Sequence, residues 1–457
     1  MKEENILGTQ KISVLLRKFA TPSVIALIIS AFYNIVDQFF IGHSVGVLGN
    51  AATNVAFPLV TVSLSIALLI GIGSASNFNL NMGRKREDVA KKFVGNAFTL
   101  MIIMGLILTI IVKLFLDSIL KAFGTTDQIM DLAKSYTRIT SYGFIFLILS
   151  NAGTALIRAD GSPRYSMNTI VVGCVLNIIL DPIFIFVFDW GIAGAAWATV
   201  IGQVVSGIMV LVYARNFKTV DVNKEDFKPE PYYIRQMVSL GLAPFFNQFA
   251  LIFVQLVTNN TVVYYGSQSP YGSEIPLAVV GIAFKVYMIF FSIAIGISQG
   301  AQPLFSYNYG AEKYERVKET YKLAVTNAIK FLFVAFLIFE IFPTQVLGLF
   351  GTGSDEYFQF GKLFFRIFFI MTALNPIQPI SANFLSSIGK PKKGAFISLT
   401  RQILFFIPLA IILPIFLGIN GLLISGPIAD FAAFIASIIL VKTQFKEMDK
   451  LISKVEA

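Results

Sequence analysis

Charge, cysteine and histidine are all scarce in this chain. Only 14% of its 457 residues are Asp, Glu, Lys or Arg, while 56% are hydrophobic. A soluble domain carries about 25% charged residues, so a deficit sustained over the whole length places the chain in the membrane class. One cysteine, Cys174, excludes an intramolecular disulfide. One histidine, His43, in a different span from the cysteine, leaves no cluster of nucleophile, base or metal ligands on which a membrane enzyme would be built. No Gly-x-x-x-x-Gly-Lys loop is present, which excludes ATP drive by this chain alone. The filter loop and charge rings of a channel are missing. The net charge of +10 is not gathered on one arm with aromatics, as nucleic-acid binding would require.

What the chain has instead is apolar runs of membrane-spanning length. About 20 such residues cross the hydrocarbon core, and twelve runs qualify: near 20–41, 51–79, 93–115, 136–157, 166–188, 193–214, 237–265, 276–300, 323–342, 364–387, 395–417 and 420–441. The first follows a polar, mixed-charge segment and is too long for a signal-peptide core, so it reads as a retained span. Lys and Arg alternate between the two ends of the spans. One end holds Lys2, Lys11, Arg17 and Lys18, the Arg84–Lys92 loop, Arg158, Arg164, the basic residues of 215–235, Lys313, Arg316, Lys390–Lys393 and the C-terminal lysines. The other holds few, chiefly Lys113, Lys121 and Lys134, offset by Asp117, Asp127 and Asp131. The positive-inside rule puts both termini in the cytoplasm of a multi-pass cell-membrane protein.

The two halves repeat one another at an offset of 227–228 residues. Asn81-Met82-Gly83 matches Asn308-Tyr309-Gly310, Phe123-Gly124 matches Phe350-Gly351, and Arg138-Ile139 matches Arg366-Ile367. Gly161-Ser162-Pro163 matches Gly389-Lys390-Pro391, and Gly191-Ile192-Ala193-Gly194 matches Gly418-Ile419-Asn420-Gly421. Matches in order at one offset mark a duplication. Six spans per half is an even number, so the repeats run parallel, and transport folds of this kind bind substrate between the halves. The expected fold is all-α, with twelve transmembrane helices in two six-helix bundles, residues 1–215 and 236–457, around a central cavity. Residues 216–235 form a cytoplasmic linker.

Two aspartates each stand as the lone charge of an apolar span: Asp37 in Ala20–Ile41 and Asp181 in Tyr165–Phe188. A carboxylate at mid-bilayer costs roughly 2.5–3.5 kcal/mol on insertion scales and marks a function. At 1.5 Å per residue, Asp37 lies about 25 Å and Asp181 about 22 Å above the cytoplasmic entry of their spans. Thr199 lies about 9 Å below the outer end of the sixth span, at a similar level. Tyr33 is one turn before Asp37, and Asn177 one turn before Asp181, each on the same helix face. Asn151 approaches the same pocket from below. Pro182 removes a backbone hydrogen bond beside Asp181, and Pro22 gives the first span a place to bend.

With these residues the chain resembles the multidrug and toxic compound extrusion (MATE) family over essentially its whole length. The resemblance rests on the two parallel six-span repeats, the run Asn177–Pro182, the Tyr33–Asp37 helix and the Gly-rich repeat starts. It implies export of organic cations and amphipathic drugs in exchange for inward H⁺ or Na⁺. It also implies that Tyr33, Asp37, Asn151, Asn177, Asp181 and Thr199 form the ion-coupling site, with Na⁺ as the only metal, and that the first helix bends at Pro22. The seventh span and the Ile367–Gly389 run contain no carboxylate, so the expectation is that the first half alone carries the ion. Asn247, Gln255 and Asn260, with Lys285, are the expected polar lining of the substrate cavity. Lys285 is otherwise a partner for Asp430 of the twelfth span. No cofactor, no nucleic acid and a monomer in membrane lipid are expected. The alternative within the same superfold is a lipid-linked oligosaccharide flippase, whose anionic substrates call for basic residues in the cavity.

Overall fold

The structure, a computed structural model, describes residues 5–350 and 353–456. Lys2 and the Gly351 repeat position lie outside them. Eleven helices among the described residues are long and apolar enough to span a bilayer. The first nine are α1 (Ile12–Ser44), α2 (Val47–Gly83), α3 (Glu87–Ala122), α4 (Asp127–Ala159), α5 (Pro163–Pro182), α6 (Gly191–Ala214), α7 (Pro231–Ser267), α8 (Glu274–Gly310) and α9 (Tyr314–Ile341). The tenth crossing, α10, is broken into Asp355–Phe368 and Ile377–Ser387. The last two are α11 (Pro391–Leu417) and α12 (Ile419–Glu456). The twelve crossings form two parallel six-helix repeats.

The break in α10 corrects the single span expected over 364–387. Pro376 and Pro379 each lack a donor, and a proline disfavours helical backbone in the residue before it. Between the two pieces the chain closes tight turns, with Thr372 N–H donating to Phe369 O and Leu374 N–H to Met371 O, both at 2.9 Å.

The two halves meet where the basic ends of their helices come together. Gly73 of α2 packs on the Met237 carbonyl of α7, and Gly241 of α7 packs on the Leu69 carbonyl of α2. Any Cβ at either glycine would collide with backbone, so only glycine lets the two helices touch there. Polar contacts reinforce the crossing. Asn77 Nδ2 donates to Gln236 O at 3.2 Å, and Gln302 Nε2 of α8 donates to Ser76 Oγ of α2 at 3.0 Å. On α1, Ala20 and Val24 rest on Gly300 and Gly296 of α8.

Further from the basic end the same faces separate. Met237, Gly241, Gln248, Gln255 and Asn259 recur at helical spacing on one stripe of α7. The first two are buried, whereas Gln255 and Asn259 are exposed. The halves therefore enclose a cleft that is closed at the basic end and widens away from it.

Two segments tie the basic end together. The short N-terminal helix Ile6–Thr9 and the start of α1 bury Leu7, Ile12, Leu15, Leu16 and Phe19 in a core shared with α8, α9, α10 and α12. Arg316 of α9 donates to the carbonyls of Leu7 at 3.1 Å and Gln10 at 2.6 Å. The connector between repeats is held by the first half. Asp160 accepts from Tyr213 Oη (2.7 Å) and the backbone of Lys218 (2.7 Å) and Thr219 (3.0 Å), while Lys91 and Lys92 of α3 flank Asp226.

Candidate functional site

Asp37 and Asp181 are brought together by the packing of α1 on α5. Both are buried, and their carboxyl groups lie within hydrogen-bonding reach of each other. Neither has a Lys or Arg partner among the described residues, and Asp37 Oδ1 is buried with no hydrogen-bond partner. Asn177 bridges α5 to α6. In the amide orientation that satisfies both ends, its Nδ2 donates to Asp181 Oδ2 at 3.2 Å and its Oδ1 accepts from the Thr199 hydroxyl at 3.3 Å. That bridge depends on how closely α5 and α6 cross. Gly202 sits against the Gly173 carbonyl at 2.6 Å from where a Cβ would be, which draws Asn177 and Thr199 into range.

Tyr33 is half-buried one turn before Asp37. Asn151 stands apart. Its amide donates to Leu147 O at 2.9 Å, and its side chain lines a separate small cavity. Pro182 is the last residue of α5 and is followed by a π-helical turn, Ile183–Val187. π segments absorb an extra residue and recur at functional sites. Pro22 lies inside α1, which is continuous through it, between the two residues that rest on α8.

A second polar group lies within the other half. Arg401 Nε donates to Asp430 Oδ1 at 2.5 Å, from a π-helical stretch of α11, Thr400–Phe406. Nearby, Asn375 Nδ2 in the break of α10 donates to Tyr287 Oη of α8 at 3.0 Å, and Gln402 Nε2 donates to Asn247 Oδ1 of α7 at 3.0 Å. This corrects one sequence expectation and adds a bond at a second residue. The partner of Asp430 is Arg401, not Lys285, and the Asn247 amide oxygen accepts from Gln402 within the second half. Gln255 lies on the cleft stripe of α7. Asn260 is exposed on the Phe249–Phe253 side of the helix. Lys285, Ser292 and Gln299 recur every seventh residue of α8, which is about two turns. Gln299 lines the small cavity between the halves, and Lys285, two such steps away on the same face, is exposed.

Three residues escaped the sequence reading. Tyr136 of α4 is buried beside the aspartates, with its hydroxyl near Thr199; a tyrosine at the mouth of an apolar span carries no signal of its own. Arg401 did carry one, as the only charge in the predicted span 395–417. Arg158 sits among the basic end's loop residues in sequence, yet only 4% of it is exposed.

Comparisons with known proteins agree with this fold. The MatE family profile matches twice, over residues 22–183 and 245–412. Multidrug export protein MepA of Staphylococcus aureus (strain MSSA476) is 28% identical over 448 residues, covering 96% of each chain. The MepA protein of Staphylococcus haemolyticus (strain JCSC1435) is 25% identical over 446 residues, again with 96% of each covered. Among solved structures, a multidrug resistance MATE family transporter of the MOP superfamily in an outward-facing conformation superposes with a TM-score of 0.90. It is 22% identical, covering 98% of this chain and 99% of that one. A MOP superfamily transporter from Pyrococcus furiosus, described as having a binding pocket of reverse polarity, gives a TM-score of 0.89. It is 21% identical, with 97% and 98% covered.

Proposed function

The chain belongs to the MatE family, and from that membership we propose that it exports organic cations and amphipathic drugs in exchange for inward H⁺ or Na⁺. The observation that carries the reading is the contact between Asp37 and Asp181. Two buried carboxylates in contact, with no basic side chain to offset them, repel strongly in a low-dielectric site. A proton or Na⁺ held between them removes the repulsion, and the pair then titrates as one unit. Asn177 and Thr199 fix the Asp181 side of the pocket, and the unpartnered Asp37 Oδ1 is the free acceptor for the incoming ion.

Export then follows from competition between two states. With the basic end in the cytoplasm, the cleft described above opens outward. An ion entering from outside neutralises Asp37 and Asp181, α1 bends at Pro22 and repacks against α8, and the bound cation leaves. The bundles, residues 1–215 and 236–457, rock about the connector 216–235, and loss of the ion to the cytoplasm restores negative charge and cation affinity. Such exchange requires that ion and drug favour different states or compete for one. Gln255 and Lys285 supply polar groups on the cleft wall.

The test is uptake of a fluorescent organic cation into inverted vesicles, with the pH gradient and the Na⁺ gradient imposed separately. One of the two gradients drives uptake if the reading is correct; uptake that follows neither removes it.

A further inference from the structure

Arg158 is a buried cation with no counter-charge of its own. Its Nη1 donates to Ser166 Oγ at 3.2 Å, and its Nε has no hydrogen-bond partner. No carboxylate pairs with it among the described residues. Asp160, the acid next to it in sequence, is taken up by Tyr213, Lys218 and Thr219. A buried charge left unpaired is strongly unfavourable, and native structures rarely tolerate one.

Beside Arg158 is a cavity of about 30 Å³, walled by Leu27 of α1, Gly71 of α2, Asn151 and Thr154 of α4, and Gln299 of α8. A single water needs roughly 10–15 Å³ by this measure, so the space suits one small ion or a pair of waters. Gln299 comes from the second half and every other wall named here from the first. No acidic side chain lines the cavity, so beside the Arg158 guanidinium a cation has no counter-charge in it.

We propose that this cavity binds a small monovalent inorganic anion, chloride in the cell, between the Arg158 guanidinium and the Gln299 amide. One guanidinium matches one negative charge, and the volume excludes phosphate and organic acids. Because the site is built from both halves, it exists only while the basic ends are together. When they part, Arg158 is hydrated and the anion is released. The anion therefore favours the state closed at the basic end, by as much as its affinity differs between the two states. The sequence reading assigned Asn151 to the aspartate pocket; its place in this wall gives it a different role.

The experiment is thermal unfolding of the purified full chain in detergent, in sodium chloride, bromide or gluconate at equal ionic strength. Chloride and bromide are expected to raise the midpoint saturably over gluconate. Gln299→Leu removes one hydrogen bond to a charged group and weakens the apparent anion affinity by roughly ten-fold or more. Arg158→Gln abolishes the anion dependence. Should Arg158→Gln fail to fold, bromide-soaked crystals of the unaltered chain decide the matter, with an anomalous peak expected between Arg158 and Gln299. Equal midpoints in chloride and gluconate, or a cavity holding only water in those crystals, overturn the proposal. The readout is anion binding and not transport, so its failure leaves the export mechanism untouched, and failure of export leaves this site untouched.

Discussion

Gly241 of α7 lies against the carbonyl of Leu69 in α2, with no room for a side chain between them. The reciprocal contact of Gly73 with Met237 lies about one turn away along the same crossing. Backbone cannot yield as the tip of a flexible side chain can, so Gly241→Leu prevents the two helices from closing. The expected outcome is an export rate reduced at least roughly ten-fold, the factor that 1.4 kcal/mol gives in an equilibrium constant. A cysteine placed near this crossing should become reactive to reagents applied from the basic end. Unchanged reactivity and rate would show that closure does not pass through this contact.

The Arg401–Asp430 pair predicts a non-additive result. Asp430 is nearly fully buried and Arg401 about one-fifth exposed. Removing one partner leaves the other charged and buried, which costs about 3–5 kcal/mol. Arg401→Met and Asp430→Leu should each lower the thermal midpoint sharply. The double variant should recover most of the loss, because an apolar pair of similar volume is often neutral or better. Additive losses in the double variant would mean that the two residues act separately.

Tyr136 offers a smaller and more specific change. Its hydroxyl lies near Thr199, on the far side of the bridge that Asn177 makes to Asp181. Tyr136→Phe keeps the ring and deletes the hydroxyl, which as a hydrogen-bonding group is worth about 0.5–1.5 kcal/mol. The expected effect is a several-fold rise in the H⁺ or Na⁺ concentration needed for half-maximal export, at an unchanged thermal midpoint to within a few degrees. If the ion dependence stays as it was, Tyr136 does not belong to the ion site.

Much of this was legible in the sequence because a bilayer imposes simple rules. Apolar run length predicted the crossings, and repeat spacing predicted two parallel six-helix units. Asp37, Asp181, Asn177 and Thr199 could be ranked by depth because helical rise is fixed, and the structure brings these four together. Asn151 does not join them, because depth alone says nothing of the direction in which a side chain points around its helix. The break in α10 was missed although Pro376 and Pro379 were visible, because the apolar run continues through them. Proline is also common inside membrane helices that stay intact, as Pro22 and Pro244 show. Arg401 was not recognised as the Asp430 partner for a different reason. Pairing across helices depends on rotation about each helix axis, and the π stretch Thr400–Phe406 shifts that rotation for Arg401 in a way composition does not record.

Export as proposed requires Asp37 and Asp181 to act as one ion-coupling unit, and Asp37→Asn tests this most directly. Asparagine preserves size and removes the charge, so the pocket can no longer alternate between an ion-loaded and an ion-free state. Cation uptake into inverted vesicles should be compared for the unaltered chain and Asp37→Asn under an imposed pH gradient and, separately, an imposed Na⁺ gradient. The predicted result is gradient-driven uptake by the unaltered chain and its loss in Asp37→Asn, with the variant still folded and present in the membrane. Full gradient-driven uptake by Asp37→Asn would contradict the account.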